Sequence, residues 1–305
     1  MKFNLFIKHF LKNMVTKTAW VFPGQGSQVV GMGKDLATTS LGEEYFKEAQ
    51  DILGWSVLEL CEGDTVNLSK TLYTQPCLYV IQCILVRLLK ENQVNPNLLA
   101  GHSLGEYVAL YAAEVFDFTT GLKLVKSRAE LMNKAVGGKM VALIKFDRLS
   151  LNEIIANTPD VVLANDNSEQ QVVISGTPQA VDEVSHKIKA KRAIELKVSG
   201  AFHSHLMKEA SEQFQILLEN TDFKEAQIPI LSNIEAVPRT SEIILKENLK
   251  KQMTGSVRWR ETMVFMVEHE ITNIIEIGPG KILSNLFKKE YTQIDTRSIG
   301  SLSDF

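Results

Sequence analysis

The sequence predicts an α/β protein, with a mostly parallel sheet in its large part and a smaller ferredoxin-like unit inserted into that part. Three observations predict it. Short apolar runs alternate with long helical stretches on either side of the chain's middle, as a parallel sheet requires. Between residues 139 and 198 the texture changes to the order β-α-β-β-α-β, a compact unit of about 60 residues. Longer helices then return with two more apolar strands, in IPILSNI and NIIEIG, so the unit interrupts the large part rather than following it. The chain therefore divides into a lead-in, 1–16, a large subdomain made of 17–138 and 199–305, and a small subdomain, 139–198.

The elements follow in order. Residues 1–16 are expected to be poorly ordered, as untied chain ends are. Lys8 and His9 interrupt their apolar residues, so the unbroken core of a secretion signal is missing. TAWVF at 18–22 ends on Pro23 and reads as a buried strand entering the loop PGQGSQ. A helical stretch containing YFKEAQDIL comes next. Residues 76–90, PCLYVIQCILVRLLK, have a broad apolar face and a proline suited to a first turn, so a buried helix is expected there. Leu98–His102 is a short strand running into a turn at Ser103. EYVALYAAEVF is the helix leaving it, and GLKLVKSRAELMNKA is a further helix closed by Gly137 and Gly138. In the inserted unit the strands are MVALIKF, DVVLAN, QQVVISG and AIELKV, with helices near SLNEIIAN and over TPQAVDEVSHKIKA.

Composition narrows the function. Hydrophobic residues make up 45% and charged residues 23%, the balance of an ordinary globular protein. A formal net charge of -3 argues against general affinity for nucleic acid. No run of about 18 uninterrupted apolar residues occurs, so no membrane span is expected. Cys61, Cys77 and Cys83 have no metal-like grouping and cannot all pair within one chain. They read as buried thiols of a cytoplasmic protein with no metal site.

The chemistry begins at AGHSLGEY, residues 100–107. Gly101, Ser103 and Gly105 form G-x-S-x-G at a strand-to-helix junction, the α/β-hydrolase-like setting of a nucleophilic serine. Free N–H groups at the helix start favour a developing oxyanion. The bland alternative is a serine that only caps its helix. A serine needs a base, and six histidines are available. His9 lies in the lead-in, and His186 sits beside Lys187 on a solvated helix. His102 points away from Ser103 if the strand alternates, and would shore up the turn. SGAFHSHLM leaves His203 or His205, and periodicity does not choose between them. The loop PGQGSQ lacks the Lys-Ser/Thr ending of a P-loop, but it can donate a second oxyanion N–H.

FPGQGSQ, GHSLGEY, the KSRAELM helix, QVVISG, GAFHSHLM, the SN pair at 232–233 and EIGPGKIL stand in this order. Together they resemble the malonyl-CoA:acyl-carrier-protein transacylase family over nearly all of residues 17–290. TQPCLY, GLKLVKSRAELM and GAFHSHLM look most like the discrete acyltransferases of polyketide synthases that lack a built-in one. The fatty-acid enzyme of the same family is the close second.

The resemblance implies that Ser103 is the nucleophile, His203 its general base, and the backbone N–H groups of Gln25 and Leu104 the oxyanion hole. It implies that Gln252 orients the histidine through its carbonyl. Arg128 would grip the free carboxylate of malonyl, as a guanidinium fork suits. Its bland alternative is a surface ion pair with a neighbour such as Glu130. Phe202, before the base, goes with malonyl rather than methylmalonyl in this family. The partners implied are malonyl-CoA and an acyl carrier protein whose phosphopantetheine belongs to the partner; no cofactor is implied. Two basic stretches, HKIKAKR at 186–192 and KENLKKQ before Gln252, are candidate docking patches for an acidic carrier. The family usually has Asn-Ser-Pro before QVVISG, whereas Glu169 follows Asn167 and Ser168 here. The competing readings are an acyl hydrolase on the same fold, against which Arg128 argues, and a catalytically silent carrier-binding module.

Overall fold

The structure is a computed structural model and describes residues 17–305. The lead-in expected at residues 1–16 lies outside the described residues. Among the described residues, ten strands fall into two sheets. In chain order they are β1 (Lys17–Phe22), β2 (Leu98–Gly101), β3 (Lys139–Ile144), β4 (Val161–Ser168), β5 (Gln171–Gly176), β6 (Arg192–Glu195), β7 (Ile230–Leu231), β8 (Pro238–Arg239), β9 (Ile271–Ile277) and β10 (Asp295–Ile299). The large sheet runs β10-β9-β1-β2-β7-β8, parallel except at the β7–β8 edge. The small one runs β4-β5-β3-β6, antiparallel throughout, which is the ferredoxin-like order. The α/β class with a mostly parallel sheet and an inserted ferredoxin-like unit is therefore what the chain adopts.

β1 is central because Ala19 to Phe22 are buried on both faces, the pattern of a strand covered by helices on either side. The helix Thr71–Glu91 packs against β9 and shares one core cluster with Trp20 and Phe22 of β1. Among the described residues it is the one helix long and apolar enough to cross a bilayer, yet 78% of that apolar window is buried inside the fold. It also begins earlier than the sequence led us to expect. Pro76 lies inside the helix rather than in its first turn, because Thr71, Thr74 and Gln75 are themselves buried and extend it backwards. That extra turn brings Gln75 into the interior, where it is used.

Two further differences concern the small unit and the sheet edges. The helix Pro178–Lys187 stops three residues before the end of TPQAVDEVSHKIKA. Lys189 and Lys191 consequently lie in a connecting segment and Arg192 opens β6, rather than all extending a helix end. β8 and β10 carry no apolar run, so nothing in their composition marked them.

A short backbone bridge ties the small sheet to the large part. Val257 N donates to Ala164 O at 2.8 Å, and Asp166 N donates to Val257 O at 2.9 Å. The Asp166 carboxylate holds Arg148 from the small unit and Arg260 from the large part, both at 3.0 Å. Glu169 adds a second carboxylate to Arg148 at 3.2 Å. This clasp fixes the strand carrying Asn165 and Asn167 over the end of β2.

Candidate active site

β2 ends at Gly101, and the helix Gly105–Ala112 starts four residues later. Such a reversal forces Ser103 to φ +52°, a left-handed conformation that L-residues adopt only where the surroundings impose it. The flanking glycines are sterically required. A Cβ on Gly101 would lie 1.9 Å from the Gly105 carbonyl carbon, and one on Gly105 would lie 2.0 Å from Phe22 O. Gly105→Ala should therefore cost about 1–3 kcal/mol by overpacking and displace the Ser103 turn with it. Thermal unfolding and transfer rate are expected to fall together; unchanged unfolding would oppose this account.

His203 meets Ser103 across the cleft, its Nε2 2.9 Å from Ser103 Oγ. It too has a positive φ, +60°, and is only 3% exposed. Its Nδ1 faces two backbone carbonyls, Gln252 O at 3.0 Å and Gly255 O at 3.1 Å. Carbonyls only accept, so Nδ1 carries the proton and Nε2 is left free to accept from the serine hydroxyl. His205 is excluded from this role. It is half-exposed and turns to Asp160, 3.2 Å away. His102 does shore the turn, with Nε2 2.8 Å from Asn167 Oδ1, but its side chain lines the cleft rather than pointing away from it.

Burial, and then the nearby Arg128 charge, push the His203 imidazole down to about 3. A base must be neutral to act, so protonation does not remove it until far into acid. Acylation at saturating substrate is expected to stay flat from about pH 5 to 8, with no inflection near the usual histidine value of about 6.5. A single-turnover pH profile with such an inflection would contradict this. The same depression bears on stability. The unfolded histidine takes a proton near about 6.5 and the folded one near about 3, so its stabilising contribution drains away as pH falls through that interval.

Arg128, on the helix Phe118–Lys134, is 1% exposed and makes no ion pair among the described residues. The ion pair imagined with Glu130 is not formed. One terminal nitrogen donates to Gln75 Oε1. The other donates to Ser103 Oγ and to Gln252 Oε1, each at 3.1 Å, and Nε has no hydrogen-bond partner among the described residues. The Tyr107 ring lies 5.3 Å beneath the guanidinium. A buried cation held by neutral amides and a hydroxyl is expensive unless a carboxylate reaches it.

Gln252 has two tasks. Its backbone oxygen holds His203, and its side-chain Nε2 donates to Ser103 O at 2.9 Å and Glu106 Oε2 at 2.7 Å. Asn233, noticed in the sequence only as half of an SN pair, clamps the turn. Its Oδ1 accepts from Ser103 N at 2.8 Å, and its Nδ2 donates to Gly101 O. Gln75, Asn233 and Glu106 were not picked out by sequence reasoning.

The loop holding Gln25 folds over the serine turn. A Cβ on Gly24 would lie 2.5 Å from His102 O and 3.6 Å from Leu104 N, so the two loops touch. Neither Gln25 N–H nor Leu104 N–H donates to a protein group among the described residues. Both remain available to an oxyanion beside Ser103. Phe202, 6% exposed, joins Gln25, Ser103, Asn165, Asn167 and His203 around a cleft of about 270 Å3 between the two sheets. Arg128 lies behind Ser103, reaching the cleft at the serine hydroxyl. The arrangement can form and break an acyl-serine next to a buried cation.

Residues 19–303 match the family described as "Acyl transferase domain". The "Malonyl CoA-acyl carrier protein transacylase" of Synechocystis sp. is 53% identical, covering 94% of this chain and 98% of that one. Its malonyl-CoA:ACP transacylase crystal structure superposes with a TM-score of 0.93 over 95% of this chain and 99% of that one. The "Polyketide biosynthesis malonyl CoA-acyl carrier protein transacylase PksC" of Bacillus subtilis is 38% identical over 88% of this chain and 96% of its own. A malonyl-transacylase solved in complex with a type II polyketide synthase acyl carrier protein gives a TM-score of 0.90 at 36% identity, over 95% and 97% of the two chains.

Proposed function

From the premise that this chain belongs to the acyl transferase family, as an enzyme of its malonyl-CoA:acyl-carrier-protein transacylase group, we propose that it moves malonyl through Ser103. The observation that carries the reading is Arg128, a buried guanidinium with no carboxylate of its own, 3.1 Å from the Ser103 hydroxyl. Ser103 Oγ attacks the thioester carbonyl of malonyl-CoA while His203 Nε2 takes its proton. The Gln25 and Leu104 N–H groups receive the negative oxygen. CoA leaves with the proton from His203. The phosphopantetheine thiol of an acyl carrier protein then gives its proton to His203 and attacks the malonyl-serine. One thioester is exchanged for another, so the transfer is nearly balanced in energy and draws on no further cofactor.

Arg128 also bears on why the acyl group goes to a thiol rather than to water. Pinned by its carboxylate to Arg128, malonyl crowds the Ser103 hydroxyl and leaves little room there for an aligned water. Phe202 narrows the same cleft beside the α-carbon. One methyl is discriminated by roughly 1–3 kcal/mol, so malonyl-CoA is expected to load about 10- to 200-fold better than methylmalonyl-CoA. The test incubates the protein with malonyl-, methylmalonyl- and acetyl-CoA and reads intact mass with and without carrier protein. A malonyl increment that the carrier discharges supports the reading; rapid release of malonate without carrier would favour the hydrolase.

The pathway has two readings. The greater identity to the Synechocystis transacylase than to PksC favours a general carrier over one dedicated to polyketides. Service to a polyketide synthase lacking its own acyltransferase is the second reading, supported by the 38% identity to PksC over 96% of that protein. For either carrier, Lys189, Lys191 and Arg192 stand exposed at the small unit's edge and are the proposed contact with its acidic surface. Comparing loading of a fatty-acid carrier and a polyketide carrier separates the two.

A further inference from the structure

The transfer mechanism leaves one buried carboxyl group behind the nucleophile turn without a task. Glu106, in the first turn of the helix Gly105–Ala112, is 1% exposed and forms no salt bridge among the described residues. Its Oε2 accepts from Gln252 Nε2 at 2.7 Å and from Asn233 N at 3.3 Å. These are the residues that hold the site, since Gln252 Oε1 accepts from Arg128 and Asn233 Oδ1 accepts from Ser103 N. Only the amide of Gln252 therefore separates the Glu106 carboxyl from the Arg128 guanidinium.

The surroundings of Glu106 hold few charges. Burial raises its carboxyl most, the Gln252, Asn233 and Ser232 hydrogen bonds oppose that, and Arg128, from the helix Phe118–Lys134, is the charged side chain that adds to their effect. The helix Glu242–Gln252 presents neutral Gln252, while its Lys250 pairs outward with Glu219 and Glu247, and Lys251 is exposed. Ser232 and Asn233 are neutral. Tyr107, next in sequence, and Tyr79 and Cys83 of the helix Thr71–Glu91 are all held protonated by burial. His203 is neutral, for the reason given above. The buried ends of β1 and β2 bring no ionisable side chain.

We propose that Glu106 is a positioning residue that couples malonyl binding to proton uptake. It balances Arg128 at a distance while the site is empty, and takes a proton when the malonyl carboxylate claims the guanidinium. The inference rests on the reading that Arg128 grips malonyl. Two carboxylates around one buried cation disfavour each other's ionisation. Burial has already pushed the Glu106 carboxyl up to about 7, so it stands near its midpoint at neutral pH and responds to an arriving charge. The proton comes from the buffer, and only the O–H bond of the carboxyl forms. Protonated Glu106 keeps a carbonyl oxygen for the Gln252 amide, so the network survives. The sign follows. The bound state holds more protons, so malonyl binding strengthens as pH falls. Above the Glu106 midpoint of the empty enzyme it weakens by up to about tenfold per pH unit.

The test uses full-length Ser103→Ala, which binds without reacting, and the malonyl thioester of N-acetylcysteamine, which carries no titrating phosphate. Binding heats are measured in buffers of different ionisation enthalpy between about pH 7 and 8, where a carboxyl with a midpoint near 7 changes charge. A substantial fraction of one proton should be taken up per malonyl bound, and none with the acetyl thioester. Adding Glu106→Gln should abolish the uptake and make malonyl affinity independent of pH. No uptake by Ser103→Ala, or uptake that persists with Glu106→Gln, overturns the proposal. Should the double variant not fold, an infrared difference spectrum of Ser103→Ala decides. A protonated-carboxyl band must appear with malonyl and not with acetyl, and its absence is equally fatal. Failure of malonyl to bind at all would bring down the Arg128 reading and this one with it. Binding without proton uptake sinks the coupling alone.

Discussion

Ser103→Ala should acquire no malonyl mass increment and should transfer malonyl to carrier at least about 10⁴-fold more slowly, with its unfolding temperature nearly unchanged. The size of the effect follows from the geometry. Among the described residues, Ser103 Oγ is the one hydroxyl that meets both His203 Nε2, at 2.9 Å, and Arg128, at 3.1 Å. Without it the base has no proton to take and the acyl group no atom to join. The turn itself should survive, because Asn233 holds it through the backbone of Ser103 and Gly101 rather than through the hydroxyl. If the two residues act as one unit, His203→Ala should fall to nearly the same floor, and the double variant little further. A retained adduct on Ser103→Ala would place the nucleophile elsewhere.

Much of this site can be read in the amino-acid sequence, and particular residues show why. The serine turn is legible because its sterics demand glycine at 101 and 105, and such a demand leaves a short fixed pattern. The choice between His203 and His205 is not legible from periodicity. They lie two residues apart, His205 opening the short 3-10 helix His205–Met207, and a positive φ at His203, which no local preference announces, turns that residue to the cleft. Gln75, Asn233 and Gln252 meet around Ser103 from distant parts of the chain, so their meeting depends on topology. Glu106 did leave a signal, a carboxylate within the otherwise apolar run EYVALYA, where helix periodicity would place it inside. The small sheet's strand order follows from its element order, whereas β10, reading DTRSI, gains its place by pairing with β9 rather than by composition.

Arg128→Ala should separate substrate recognition from chemistry. Truncating one partner of a buried, hydrogen-bonded charge pair costs roughly 2–5 kcal/mol, so kcat/KM for malonyl-CoA is expected to fall between about 30-fold and several thousand-fold. Acetyl-CoA has no carboxylate to lose, and its kcat/KM should hold or rise as the emptied space admits it. The ratio of the two is therefore the informative quantity. The fold should tolerate the change better than it tolerates most buried truncations. The guanidinium has no directly paired carboxylate in the unliganded site, only Glu106 beyond the Gln252 amide, so its removal also removes a desolvated charge, at the expense of hydrogen bonds to Gln75 and Gln252. Arg128→Lys keeps the charge but not the fork, and should recover only part of the malonyl preference. If malonyl and acetyl transfer fall equally in Arg128→Ala, the residue merely supports the Ser103 turn and the carboxylate is held elsewhere. If only malonyl falls, the specificity of the acyl-serine is set from behind it, by a cation that the cleft itself barely exposes.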